Sequence, residues 1–567
     1  MSRVMKAVPL VVFCALIIAV PSVWANWVQD GVALCTATGN QKLPMITSDG
    51  AGGAIVTWYD KRSGSNYDIY VQRVNASGAV LWTPDGVALC TATGDQVYPQ
   101  ITSDGAGGAI VAWQDTGSVN WKVYAQRVDA LGAAQWTTDG VALCAATGDQ
   151  QSPQIISDGA GGATVTWYDN RTGNADVYAQ GLNASGAIQW PTDGVALCTA
   201  TGDQSYPTIT SDGAGGAIVT WQDNRSGSYA DIYAQSVNAS GAVQWAANGV
   251  AICTAMGWQQ YPRITSDGAG GAIVTWEDNP SGSDYDIHAQ RVNASGAVQW
   301  TANGVGLCSA TGFQLDPRII SDGESGAIVT WMDNRSGDPF DPKLDIYVQR
   351  VSASGTVLWK TDGVALSTAP GNGAYPMITS DGAGGAIVTW YGGPSGSWDI
   401  YAQRVNAWGA IQWTANGVAL CAATEAQMQP QITSDGAGGA IVAWYDYRSG
   451  GYSDIYGLRV DANGFAPLTA TDASAVPLQL HQNYPNPFNP ATTVTYSIPE
   501  KFNVTLKIYD VSGKCVACLV DWQQEKGSYA VEWSGKDEKG NSVASGIYFC
   551  RLAAGSRTIV RKMVLLR

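Results

Sequence analysis

Apolar residues along most of the chain come in short runs separated by small polar residues, with no extended 3.6-residue periodicity. The stretch that begins at Pro207 reads PTITSDGAGGAIVTWQDNRSGSYADIYAQSVNASGAVQWAANGVAIC. Its runs are PTIT, AIVTW, DIYAQSV, and AVQW continuing to GVAIC. Each gap holds turn chemistry (Ser-Asp-Gly, Asn-Arg-Ser-Gly, Ala-Ser-Gly), so the pattern predicts four short antiparallel strands.

This unit recurs. The tryptophan that closes its second strand falls at Trp58, Trp113, Trp167, Trp221, Trp276, Trp331, Trp390 and Trp444, a period of 54 to 55 residues with one interval of 59. The longer interval carries the insertion DPFDPK at Asp338 to Lys343, between the second and third strands. Repeats of four strands predict propeller blades, here eight. The segment Trp27 to Cys35 matches the end of a unit, whereas the eighth unit stops at VDANGFAPL without one. The N-terminal segment is therefore expected to supply the missing fourth strand and close the ring, leaving no open sheet edge. An open solenoid would instead need dedicated capping repeats.

The phrase SDGAGG, or SDGESG in the sixth unit, lies between the first and second strands of each unit. Its glycines suit positive φ, and its Asp can accept hydrogen bonds from the loop's own amides. A phosphate cradle would lead into a helix, and a strand follows here; a calcium site needs roughly six to eight oxygens, more than one Asp per loop supplies. The phrase also resembles the Asp-box hairpins of sialidase-type propellers, with its glycines spaced differently.

The ends differ from this body. Met1 to Ala25 has Arg3 and Lys6, an apolar run from Ala7 to Val20 and a small-residue exit, the pattern of a secretory signal peptide (1–25). No later run reaches the roughly 18 apolar residues of a membrane-spanning helix. From Asn26 to Ala475 there are 18 Lys and Arg against 40 Asp and Glu, and from Val476 onward 11 against 7. An acidic body argues against nucleic acid as a partner. The expected organisation is a propeller over 26–468, a small-residue linker over 469–476 and a C-terminal domain over 477–567.

Charge chemistry is sparse. His288 and His481 are the only histidines, so a Ser-His-Asp triad or a histidine metal site lacks its parts. No metal or cofactor is expected. Cys35, Cys90, Cys144, Cys198, Cys253, Cys308 and Cys421 occupy one site per repeat, with Ser367 in the seventh; equivalent sites on neighbouring blades are too far apart to bridge, and they read as buried fillers. Cys515, Cys518 and Cys550 leave room for one bridge. Positions that vary between repeats are the place to look for a ligand site. The loops GWQQYP and GFQLDP supply Trp258, Tyr261, Arg263, Phe313 and Arg318, the candidate ligand-binding residues. On the same face lie Asp-Lys-Arg at Asp60, Asp-Asn-Arg at Asp169, Asp223 and Asp333, and Asp-Tyr-Arg at Asp446. Aromatic and charged loops of this kind suit sugars, while each Asp-Arg is equally readable as a surface ion pair of little consequence. Glu277 is the one glutamate directly after a blade tryptophan, readable as a catalytic carboxylate or as a solvated variant of the usual Tyr or Gln.

From Leu480 the chain reads LHQNYPNPFNPATTVTYSIP, then VTLKIYDVSGK, YAVEWSGKDEKGNSVASGIYFCRL and RKMVLLR. These motifs resemble the C-terminal sorting domain of the type IX secretion system, related to the immunoglobulin-like domain of flagellar hook-capping proteins. The resemblance implies a small β-sandwich and export across the outer membrane, with Tyr484, Pro485, Asn486, Pro487, Phe488, Asn489 and Pro490 as the sorting motif. Cys550 departs from the usual second aromatic. The repeats resemble those of secreted bacterial proteins with no agreed activity.

The expected function is therefore that of an extracellular or outer-membrane-surface binding protein, not an enzyme, with no catalytic residues assigned. Its expected partners are the type IX machinery and an extracellular polysaccharide or surface protein, and it is expected to be a monomer. The alternatives are a sialidase-like glycoside hydrolase and a purely structural, adhesive component.

Overall fold

The computed structural model describes residues 27–465 and 479–566, apart from 118, 281, 283, 336–342, 369–370, 372, 394–397, 481–482, 484–485, 499–500, 526 and 556. The signal peptide, the linker and most of the DPFDPK insertion lie outside the described residues, as do Tyr484 and Pro485. The chain divides into two compact units, Met1–Pro467 and Leu468–Arg567.

The first unit is a β-propeller of eight four-stranded antiparallel sheets. In the fourth blade the strands are Gln204–Ser211, Ala217–Asp223, Asp231–Val237 and Val250–Cys253, in that spatial order. The first strands of successive blades adjoin one another, and that of the eighth, Gln427–Ser434, adjoins that of the first, Gln41–Ser48, which closes the ring around a channel. Val32–Cys35 pairs antiparallel with Asp454–Val460, so the N-terminal strand completes the eighth blade.

Second strands are buried throughout because both faces are covered by neighbouring blades, which is why they read AIVTW without alternation. Their tryptophans are among the largest fully buried side chains and form the apolar packing between sheets. The innermost strand carries a bulge: Ser205 pairs with Gln222 and Thr208 with Thr220, two residues being looped out between them. The residue before the looped-out proline has positive φ in all eight blades: Leu43, Tyr98, Ser152, Tyr206, Tyr261, Asp316, Tyr375 and Gln429. Such a conformation is costly for a residue with a Cβ, and its recurrence makes it part of the architecture. It turns the side chain at that position out of the regular strand alternation.

Two repeated charged devices tie the ring. In the SDGAGG loop, Asp49 Oδ1 accepts the amides of Ala51 and Gly53, each at 2.8 Å. Its Oδ2 meets Arg73 Nη2 at 2.9 Å, and Arg73 Nη1 donates to Ala130 O of the next blade at 3.0 Å. Gly53 has no room for a Cβ, which would sit 2.3 Å from Val74 O. The phrase is thus scaffold, a hairpin closed by its own Asp and anchored to the adjacent blade.

The second device corrects the expectation of surface ion pairs. Asp60 is fully buried; its Oδ2 accepts from Trp58 Nε1 at 2.9 Å and from Arg62 Nη2 at 2.6 Å. Arg62 also donates to Cys35 Sγ at 3.0 Å and to Asp85 O at 2.6 Å, and lies over the Tyr70 ring at 3.8 Å. Because Cys35 belongs to the preceding blade, the group is an inter-blade latch. It recurs around Asp169, Asp223, Asp333 and Asp446. Burial pushes the Cys35 thiol up to about 12, so it stays a neutral acceptor. At the junction of the sixth and seventh blades both partners are replaced together, the seventh blade's Asp by Gly392 and the sixth blade's Cys by Ser367.

The C-terminal unit is a sandwich of a three-stranded and a four-stranded sheet around Phe488, Tyr496, Leu506, Trp533, Leu552 and Met563. Phe488 N donates to Val564 O at 3.0 Å and Val564 N to Asn486 Oδ1 at 2.8 Å, so this part of the Asn-Pro-Phe motif clips onto the last strand. Cys515, Cys518 and Cys550 are all free thiols, and the expected bridge is absent from them.

Candidate functional site at the channel mouth

Three positions per repeat converge where the bulge meets the neighbouring blade: the bulge residue itself, the residue after its proline, and the residue after the blade tryptophan. The convergence runs from each blade to the next. Gln114 Oε1 accepts Ser152 N–H at 2.8 Å, and Thr208 Oγ1 donates to Pro262 O at 3.3 Å. At these positions most repeats carry Tyr, Gln, Met, Thr, Ser or Leu, among them Tyr98, Tyr206, Tyr261 and Tyr375 at the bulge and Tyr59, Tyr168, Tyr391 and Tyr445 after the tryptophan. Tyr206 and Tyr261 pack edge to face at 5.1 Å and Tyr375 and Tyr391 stack at 5.5 Å.

Charge enters these positions only in the fifth and sixth blades, as Arg263, Glu277, Asp316 and Arg318. The fold brings all four together. Asp316 N–H donates to Glu277 Oε1 at 2.7 Å, the same contact that Gln114 makes elsewhere. Arg318 Nη2 lies 3.0 Å from Asp316 Oδ1, and Arg263 Nη2 lies 3.6 Å from the same oxygen. Nε of Arg263 and Nε of Arg318 are buried and have no hydrogen-bond partner among the described residues. Glu277 is 4% exposed, and burial, with the Asp316 carboxylate as a lesser contributor, pushes its carboxyl up to about 7. Burial and the facing Arg318 push the Arg263 guanidinium down to about 10, where it still carries its charge. Burial also raises the Tyr261 phenol, with Tyr206 and Glu277 adding to the effect.

Of the five expected ligand-binding residues, Tyr261, Arg263 and Arg318 reach this mouth. Trp258 and Phe313 pair instead with loop aromatics, Trp258 with Tyr229 at 5.9 Å and Phe313 with Tyr285 at 6.1 Å. They remain 38% and 41% exposed. An open cavity of about 440 Å³ beside Tyr229 is lined by Arg225, Ser226, Asp231 and Thr254 among others. Asp316 was missed in the sequence because the uncharged residues that other repeats place there, most often tyrosine, gave no hint of an ion pair. The signal was available as a singular charge in a repeated slot. His288 is not part of the mouth: its Nδ1 lies 3.0 Å from Asp278 Oδ2 in the blade where Pro280 replaces the latch arginine.

The C-terminal segment matches the FlgD Ig-like domain over residues 489–557. No curated protein matches the chain. Among solved structures, the chain is similar to an ulvan lyase, a polysaccharide lyase, at 11% identity, with a TM-score of 0.38, covering 70% of this chain and 96% of that one. It is similar to a Hadza microbial sialidase at 11% identity, TM-score 0.31, covering 58% and 67%. It is also similar to an endo-arabinase from Bacteroides thetaiotaomicron at 12% identity, TM-score 0.28, covering 44% and 92%. At these values the likeness is one of fold. The expectation that the chain is not an enzyme stands corrected: the matched structures include glycoside hydrolases and a lyase.

Proposed function

We propose that the propeller is an extracellular glycoside-cleaving enzyme whose proton-transferring residue is Glu277. The observation that supports this most is a buried carboxyl group raised to about 7 beside a second carboxylate, Asp316, in a channel mouth otherwise lined with uncharged residues, tyrosines among them. An acid near neutral pH is what glycosidic bond cleavage needs, because it can donate its proton to the leaving oxygen under working conditions. Asp316, held by Arg318, is the second carboxylate and opposes the positive charge that develops on the sugar ring. The tyrosines offer stacking faces for sugar rings and hydroxyls for their polar edges.

Export completes the reading: the signal sequence delivers the chain to the periplasm and the C-terminal domain directs it through the type IX machinery to the cell surface or medium. The catalytic reading is tested by incubating the full chain with a panel of polysaccharides and following both new reducing ends and unsaturated products. Glu277→Gln keeps the acceptor that Gln114 and Gln222 carry in the same slot, so it should fold normally and lose cleavage by about 10²- to 10⁴-fold. Equal activity in that variant would sink the assignment.

A further inference from the structure

We propose that Arg263 and Arg318 form an oxyanion subsite, so that the sugar handled at Glu277 carries a carboxylate or sulfate, and that occupancy of this subsite keeps Glu277 in its acid form. The substrate-class part rests on the catalytic reading above; the subsite itself does not.

The repeats supply the argument. The slot of Arg263 and Arg318 is filled elsewhere by Met45, Gln100, Gln154, Thr208, Met377 and Gln431, so the scaffold has no need of a cation there. Two guanidiniums in adjacent blades converge on one carboxylate, Asp316, and each has a buried Nε without a partner among the described residues, as Arg62 and Arg448 of the latches also do; what sets this pair apart is that two cations share a single carboxylate. A buried donor without a partner is costly, and a planar guanidinium edge that includes Nε fits an oxyanion with two parallel hydrogen bonds. With Glu277 protonated the cluster carries one positive charge in excess, two guanidiniums against Asp316. With Glu277 ionised it is neutral. An arriving anion is therefore matched by the protonated cluster and repelled by an ionised Glu277. By linkage, anion binding favours the proton on Glu277 to the same degree that the proton favours the anion. The charged groups facing Glu277 are Asp316, Arg263 and Arg318, with the Tyr261 phenol close by.

The test is calorimetric titration of the full chain with free glucuronate in one arm and inorganic sulfate in the other, across pH 6 to pH 8. The expected result is saturable binding of at least one anion that tightens as pH falls through about 7. Glu277→Gln should keep the binding and lose its pH dependence. Arg263→Gln and Arg318→Gln install a residue other repeats already hold in that slot, and each should weaken binding by at least about tenfold at every pH. Absence of binding in both arms, or unchanged binding in both arginine variants, overturns the subsite; tightening with rising pH overturns the coupling. Anion binding without any polysaccharide cleavage would defeat the catalytic reading and leave the subsite standing.

Discussion

The latch around Asp223 and the cluster around Asp316 are built from the same residue types and do opposite things. Asp223 is fully buried, and its oxygens are taken by Trp221, Arg225 and the Arg225 amide at 2.6–2.9 Å. Arg225 Nε is engaged as well; the same group appears in five blades, with Nε of Arg62 and Arg448 unmet among the described residues in two of them. Asp316 meets its arginines at 3.0 and 3.6 Å, leaves two Nε groups unmet, and occurs once. In a ring of near-identical blades, a charge written many times is holding neighbours together. A charge written once, in slots that the other repeats fill with uncharged residues, is what a ligand would find.

The largest expected effect breaks the repeated side of that contrast. Asp223→Ala removes one partner of a buried ion pair and strands Arg225, Trp221 Nε1 and Cys198; loss of about 3 kcal/mol is expected in denaturant unfolding of the propeller. A loss under half of that would mean the latch is ornamental and the contrast false. The singular side is sharpened by pH. Because the Glu277 carboxyl is raised in the folded protein, its share of stability is intact below about pH 4.5 and is lost as pH rises through about 7. The stability difference between Glu277→Gln and the parent should therefore grow in favour of the variant across that window. A difference flat with pH would show that Glu277 is not held as an acid.

A smaller effect separates the two halves of the SDGAGG device. Asp267 closes its loop through Ala269 and Gly271 and also binds Arg291, whereas the strand position facing Asp212 holds Ser236 instead of an arginine. Asp267→Ala should cost about 1 to 2 kcal/mol more than Asp212→Ala, read by the same unfolding experiment. The smallest effect is expected at Trp258, which is partly exposed and packs against Tyr229. Trp258→Ala should leave stability within about 0.5 kcal/mol and leave cleavage unchanged, while weakening retention on long polysaccharides if that aromatic pair extends the binding track.

Much of the fold was legible because repetition is its own control. Eight copies of AIVTW or a close variant, separated by turn residues, give strands, order and blade number, and the orphan segment at Trp27 to Cys35 gives the closure. The site was only half legible. Arg263 and Arg318 stood out against Met, Gln and Thr in their slot, but Trp258 and Phe313 drew attention only because exposed aromatics suit sugars, and they point elsewhere. Asp-Asn-Arg looked like a surface pair because nothing local says that a loop carboxylate is covered by the cysteine strand of the preceding blade.

Sequence alone determined what depends on short-range chemistry and counting: the strands, the hairpins closed by their own aspartates, the eight blades and the distinct C-terminal sandwich. Tertiary structure alone decided which charges meet. Glu277 and Asp316 are 39 residues apart, and they touch because a bulge at positive φ turns one blade's inner strand toward the residue after its neighbour's tryptophan. That contact removes water from a carboxyl group near two arginines, and burial of this kind, which no local pattern encodes, is what raises its proton affinity to about 7.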